Sequence, residues 1–138
     1  MQSIQKSPLP VDTLRALGVG IVYLFGSHAE GYAGPGSDID VAVVLTDPRA
    51  AHQSASALYT KLYDLFTDAF DMSDFKTIDI VFLDRAPLEL QFDVISHGKV
   101  LYEVSSEFRL AYEDRIEMLY CDFKPKLDMF NRAVLERV

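Results

Sequence analysis

The chain has 138 residues and is 49% hydrophobic, so it is long enough to bury the core of one globular domain. Its net charge of −8 disfavours binding to nucleic-acid phosphates, and we predict no direct nucleic-acid contact. The single cysteine excludes an intrachain disulfide and a cysteine-type zinc cluster. No apolar run reaches the ~20 residues of a membrane helix, and the first residues lack the apolar core of a signal peptide. We therefore expect a cytoplasmic protein without membrane contact.

The N-terminal third of the chain predicts an arm, two strands and short helices. Residues 1–10 contain two prolines and are expected to form a flexible arm, followed by a short helix over 11–17. The apolar run 21–25 suits a buried strand, and the valine-rich run 39–45 suits a second one. Between them, residues 27–31 are expected to begin another short helix before a glycine-rich turn.

The pattern of the chain after residue 45 predicts helices that alternate with strands. Apolar residues recur every three or four positions over 50–70, which indicates one long helix. A β-branched run at 77–83 predicts a third strand. A helix begun by a proline is expected over 86–96, and a short fourth strand over 99–102. These elements predict a mixed α+β fold with a small sheet of three to four strands, flanked by helices and covered mainly on one face.

The C-terminal part predicts one more helical segment. We expect residues 11–104 to form the main domain and 105–138 to pack on it, with a partner as a second candidate contact, and Pro125 to break or kink the helix. Two interpretations fit the apolar residues of the tail. They are either ordinary helix packing or a partner-binding stripe, formed by Leu127, Phe130 and Val134.

Three aspartates are the strongest candidates for chemistry. Asp38 and Asp40 are separated by a single residue at the start of the second strand, so their side chains point to the same side. Two such carboxylates repel each other unless a cation lies between them, and hard oxygen ligands favour Mg²⁺. Asp79 is polar within an apolar strand and would complete a two-metal arrangement. The alternative is that Asp38 and Asp40 are ordinary turn and cap residues.

Gly26 and Ser27 directly follow the first strand. A glycine there lets the backbone approach a ligand closely, and a helix that begins there presents N–H groups to phosphate. The Ser27 hydroxyl adds another hydrogen-bond donor. Alone, the pair is equally compatible with a plain strand-to-helix turn.

Taken together, these residues resemble a known signature. Gly26 and Ser27, ten intervening residues and Asp38-x-Asp40 are similar to the signature of the polymerase β-type nucleotidyltransferase superfamily. In a chain this short, the stretch FGSHAEGYAGPGSDIDVAVVL resembles the minimal nucleotidyltransferases (MNT), which are the antitoxins of HEPN/MNT toxin–antitoxin pairs. The resemblance covers about residues 24–102 and implies a polymerase β-like nucleotidyltransferase fold.

The resemblance also implies a reaction. Asp38 and Asp40 would bind Mg²⁺, and Asp79 would join one of two metal sites and help to deprotonate the attacking hydroxyl. ATP would be the substrate, and its AMP group would pass to a tyrosine hydroxyl of a cognate HEPN ribonuclease toxin. The toxin would thereby be neutralised.

The nucleotide-binding part of the resemblance has one departure. Gly26 and Ser27 would hold the triphosphate, and Ser37 would support the loop before the acids. Many relatives carry an arginine soon after the Gly-Ser pair, whereas this chain has His28, Ala29 and Glu30. A basic side chain is a natural partner of phosphate, so its replacement bears on nucleotide affinity.

Two other functions remain open from the sequence. A non-catalytic antitoxin would neutralise its toxin by contact alone. A small-molecule nucleotidyltransferase is a further alternative, although such enzymes usually need an additional domain or a dimer to bind the acceptor.

Overall fold

A computed structural model of the chain describes residues 5–31, 33–34, 38–53, 55–73 and 77–136. Its helices are α1 (Val11–Ala16), α2 (Ser27–Glu30), α3 (Ala50–Gln53), α4 (Ala55–Ala69), α5 (Leu88–His97) and α6 (Ser106–Glu136). Its strands are β1 (Val19–Phe25), β2 (Ile39–Leu45), β3 (Ile78–Phe82) and β4 (Lys99–Glu103). A 3-10 turn, Leu83–Arg85, follows β3. The predicted mixed α+β fold is confirmed.

The four strands form one mixed sheet in the order β3–β2–β1–β4. β1 is antiparallel to both β2 and β4, whereas β2 and β3 are parallel. A parallel pair requires a crossover connection, and α3 and α4 supply it between β2 and β3. The predicted helix over 50–70 agrees with the helical residues 50–53 and 55–69, and Ser54 between them lies outside the described residues.

Helices cover the sheet on both faces, so the expectation of one covered face was wrong. β1 and β2 are buried at nearly every position, because runs that are apolar on both sides require cover on both sides. One face packs against α1 and α4, whose buried residues include Leu14, Leu62 and Phe66. The other face packs against α5 and the first half of α6. Its buried cluster consists of Ile21, Tyr23, Ala42, Val44, Leu83, Val94, Tyr112 and Ile116.

The described part of the N-terminal arm is attached to the domain. Gln5 forms an isolated antiparallel bridge with Phe70, and the Lys6 N–H donates to the Ala69 carbonyl over 2.9 Å. Leu9 is buried in the cluster beneath α4. From Gln5 onward, the expected arm therefore has fixed contacts at the end of α4.

The helix α6 runs without interruption through Pro125, so the predicted break does not occur. Proline has no N–H, and the helix therefore loses the one hydrogen bond that would reach the Cys121 carbonyl. Good helix formers flank the proline on both sides, including Lys124, Lys126 and Leu127, and they favour continuation of the helix.

None of the described helices is long and apolar enough to span a membrane.

Only the first half of α6 is anchored to the domain. The Tyr112 hydroxyl donates to Gln91 Oε1 over 2.7 Å, and the Tyr120 ring stacks on Phe92 with centroids 3.9 Å apart. Beyond Tyr120, the apolar side chains are mostly in contact with solvent. Exposed fractions are 38%, 65% and 46% for Phe123, Phe130 and Val134. Phe130 and Val134 are thus not core residues, and the partner-binding interpretation of this stripe stays a prediction.

Candidate active site

Two of the three predicted aspartates are neighbours across the parallel strand pair. Asp40 in β2 and Asp79 in β3 are register partners, which places their Cα atoms about 4.8 Å apart. Partners in register point to the same face of a sheet, so both carboxylates share one face. By alternation, this is the face that carries Ala42 and Val44 and packs against α5 and α6. Asp40 is half-buried, whereas Asp79 is exposed.

Asp38 lies just before β2 and is held by a residue that the sequence reasoning did not single out. The Thr77 hydroxyl donates to Asp38 Oδ1 over 2.6 Å. Because Ile39 pairs with Ile78, the same register places Asp38 beside Thr77. The signal that would have identified Thr77 is its position two residues before Asp79, on the same side of β3. Thr77 therefore orients one carboxylate oxygen of Asp38.

Gly26 lies directly against the Asp40 carboxylate. Phe25, the last residue of β1, is the register partner of Asp40 in β2, and Gly26 follows it. Gly26 has φ 73° and ψ −154°, a conformation that is essentially restricted to glycine. A Cβ added at Gly26 would overlap Asp40 Oδ2. The glycine is therefore required both by the backbone conformation and by the close approach of the acid.

The short helix α2 begins at Ser27, immediately beside these acids. The Gly26 carbonyl accepts hydrogen bonds from the N–H groups of Ala29 and Glu30, each over 3.1 Å. Ser27 thus occupies the start of the helix, where the first N–H groups have no acceptor within the helix itself. A helix of only four residues has a small dipole, so an anion here would be held chiefly by N–H groups and the Ser27 hydroxyl. The phosphate-binding role of Gly26 and Ser27 stays a prediction.

The carboxylates repel one another. Burial raises the pKa of Asp40 above its ordinary value, and the charges of Asp79 and Asp38 raise it further. His28 in α2 acts in the opposite direction and lowers the pKa of Asp40. A cation between the acids would favour their charged forms.

The donor set fits a divalent cation in kind, because carboxylate oxygens are the ligands that Mg²⁺ prefers. The described ranges nevertheless contain no group of three or more His, Cys, Asp or Glu side chains already arranged to hold a metal ion. Asp38 instead accepts the hydrogen bond from Thr77 through Oδ1. Of the predicted nucleotide-binding residues, Ser37 lies outside the described residues, as do Pro35 and Gly36.

The site can now be compared with known proteins. Residues 12–107 match the family described as polymerase beta, nucleotidyltransferase. No curated protein matches the chain. Several solved structures have the same fold at identities below 25%.

One of these is the crystal structure of a toxin–antitoxin with AMP-PNP, at 24% identity and a TM-score of 0.65, covering 91% of this chain and 94% of that one. Another is the toxin–antitoxin MntA–HepT, at 21% identity and a TM-score of 0.53, with 91% and 96% covered. A third contains the tri-AMPylated HEPN toxin of Shewanella oneidensis in complex with its MNT antitoxin, at 20% identity and a TM-score of 0.55, with 91% and 95% covered. The family match covers most of the chain, from before β1 to the start of α6. The chain therefore belongs to the polymerase β nucleotidyltransferase family.

Proposed function

We propose that this protein is an antitoxin that transfers AMP from ATP to a tyrosine hydroxyl of a HEPN toxin and thereby neutralises it. The observation that carries the proposal is the position of two of the acids, Asp40 and Asp79, beside the glycine turn. Asp40 lies beside Asp79 and against Gly26, at the point where Ser27 opens α2. Two solved relatives of the same fold support the choice of substrate and partner, since one contains AMP-PNP and the other an AMPylated HEPN toxin.

The residues of the turn before α2 and those of β2 and β3 would have different roles in binding. Gly26 and Ser27 would hold the triphosphate through the backbone and one hydroxyl. Asp38 and Asp40 would bind Mg²⁺, and Asp79 would share a second Mg²⁺. When bound, Mg²⁺ neutralises charge on the triphosphate and on the departing pyrophosphate. Ser37 remains a predicted support for the loop.

The reaction is a displacement at the α-phosphorus. The phenolic oxygen of the acceptor forms a bond to that phosphorus, the bond to the α,β-bridging oxygen breaks, and pyrophosphate leaves with that electron pair. The phenolic proton passes to the Asp79 carboxylate. Asp79 is suited to this role because it is exposed, so an acceptor can approach it from solvent, whereas Asp40 is half-buried.

The test is incubation with labelled ATP or GTP and the co-expressed HEPN partner, followed by mass measurement of both chains. We expect AMP on the partner, and loss of transfer in the double variant Asp38→Asn/Asp40→Asn. The matched control is Asp64→Asn/Asp68→Asn, which makes the same change of charge at exposed positions of α4. Unchanged labelling by the first double variant would refute the assignment.

A second candidate, neutralisation by contact alone, is favoured by one observation. Glu30 is exposed at the end of α2 and places negative charge near the proposed phosphate site. Inhibition of the toxin separates the two candidates. Full inhibition by Asp38→Asn/Asp40→Asn without transfer of AMP would favour contact, whereas lost inhibition would favour catalysis.

A further inference from the structure

The edge of the sheet beside Asp79 is open. β3 is the terminal strand and pairs only with β2 within the described part of the chain. The Thr77 carbonyl accepts a hydrogen bond from the Ile39 N–H over 2.8 Å, so Thr77 and every second residue after it direct their backbone groups toward β2. The backbone N–H and C=O groups of Ile80 and Phe82 therefore point to the open edge.

A groove of about 680 Å³ runs along this edge. Its floor is formed by β3, and one wall is formed by the hydroxyl-bearing residues Ser56, Tyr59 and Thr60 of α4. The opposite wall comes from the turn after β3 and the start of α5. Among the described residues of its lining, Arg85 is the one that carries a charge, and its Nη1 donates to the Ala51 carbonyl over 3.1 Å. The groove is thus mainly apolar, with a positive charge at one end, on a protein with a net charge of −8.

The groove leads to the candidate active site along the strand itself. Asp79 directly precedes the part of β3 that forms the floor, and its Cα lies about 6.6 Å from that of Val81 at the strand rise. A ligand that follows β3 through the groove therefore arrives beside Asp79. This continuity connects the groove to the acid proposed to take the acceptor's proton.

We propose that the groove binds an extended segment of the acceptor protein, which adds to the sheet as a fifth strand beside β3. Outward N–H and C=O groups at strand spacing are matched by an extended polypeptide backbone, and the apolar walls accommodate alternate side chains. Arg85 favours a segment that carries a carboxylate. The inference rests on the proposed function and specifies how its acceptor is held, with the reactive hydroxyl delivered to Asp79.

The first test compares two bulky substitutions at adjacent positions of α4. Ser56 and Ala57 are both exposed, but only Ser56 lines the groove. We expect Ser56→Trp to lower the rate of AMP transfer to the co-expressed HEPN partner by about tenfold or more, because it blocks an anchoring contact. Ala57→Trp should leave the rate unchanged, and both variants should bind a fluorescent ATP analogue normally. Equal rates for the two variants would overturn the proposal.

The second test measures amide hydrogen exchange in the Asp38→Asn/Asp40→Asn protein, in which we expect the partner to bind without transfer of AMP. We expect the HEPN partner to protect the amides of Ile80 and Phe82 in this variant, and AMP-PNP with Mg²⁺ to leave them unprotected in the wild-type protein. Protection by AMP-PNP with Mg²⁺ would identify the groove as a nucleotide pocket and overturn the proposal. Protection of other amides only, or no protection at a saturating concentration of the partner, would also overturn the proposal. Hydrogen exchange requires no catalysis, so it tests the groove independently of the reaction. If the wild-type protein transfers no AMP to its partner, the proposed function is refuted whatever the exchange result.

Discussion

Replacing Gly26 with alanine tests whether the glycine turn positions Asp40. Gly26 has φ 73° and ψ −154°, and a methyl group at this position would overlap Asp40 Oδ2. The substitution therefore has two effects. It strains the backbone, and it forces either the carboxylate or the turn before α2 to move.

The two effects have different magnitudes and different readouts. A non-glycine residue in this conformation costs on the order of 1–3 kcal/mol, which corresponds to a Tm about 3–10 °C lower for a domain of this size. Displacement of Asp40 removes a proposed Mg²⁺ ligand. At a ligand concentration of 100 times Kd, bound Mg·ATP stabilises a protein by about 2.7 kcal/mol, and we expect the variant to lose most of that gain.

The assay is thermal unfolding with and without Mg·ATP, with Gly18→Ala as the matched control. Gly18 also has a positive φ, of 80°, but a Cβ there would meet only Thr46 Oγ1 at 3.7 Å, an ordinary contact. Both variants should unfold at lower temperature than the wild type. Only Gly26→Ala should lose the rise in Tm on addition of Mg·ATP. If Gly26→Ala keeps the full rise, the reasoning about Asp40 is wrong.

Three further outcomes follow from the structure. The folded protein binds the Asp40 proton more tightly than the unfolded chain, because burial and the charges of Asp79 and Asp38 raise its pKa. Metal-free stability should therefore fall as pH rises from below the ordinary carboxyl pKa through the raised value, and urea unfolding should show a smaller fall in Asp40→Asn. Thr77→Val removes the hydrogen bond to Asp38 and should weaken Mg²⁺ binding by up to about tenfold in titrations of AMP transfer, whereas Thr77→Ser should not. Ending the chain at Asp122 should change Tm by less than about 2 °C, because the described residues beyond it are almost all exposed.

The sequence was most informative where a predicted strand carries a candidate catalytic aspartate. The valine-rich run of β2 was predicted with its observed bounds, Ile39–Leu45, because a buried central strand leaves a continuous apolar signal. The polar interruption at Asp79 in the next strand was sufficient to associate it with Asp40. Both deductions depend on local pattern and on strand alternation, which a single sequence contains.

The features that the sequence did not reveal depend on register and packing. The contact between Thr77 and Asp38 follows from pairing Ile39 with Ile78, and register is a property of two strands together. The groove beside β3 exists because α4 and the start of α5 lie on opposite sides of one edge. The passage of α6 through Pro125 depends on how the flanking turns balance one lost hydrogen bond.

The position of Pro125 divides α6 into two parts of unequal resistance to proteases. The part before it is fixed by Tyr112 and Ile116, which are buried against the sheet. In the part after it, the described residues 126–136 are exposed except for the half-buried Leu127, and a helix shorter than about 12–15 residues is only marginally stable in water without packing. We expect the backbone there to open locally without unfolding the sheet, and limited trypsin digestion to cut first after Lys126 or Arg132. The tail can therefore be shortened by proteolysis while the nucleotidyltransferase domain stays intact.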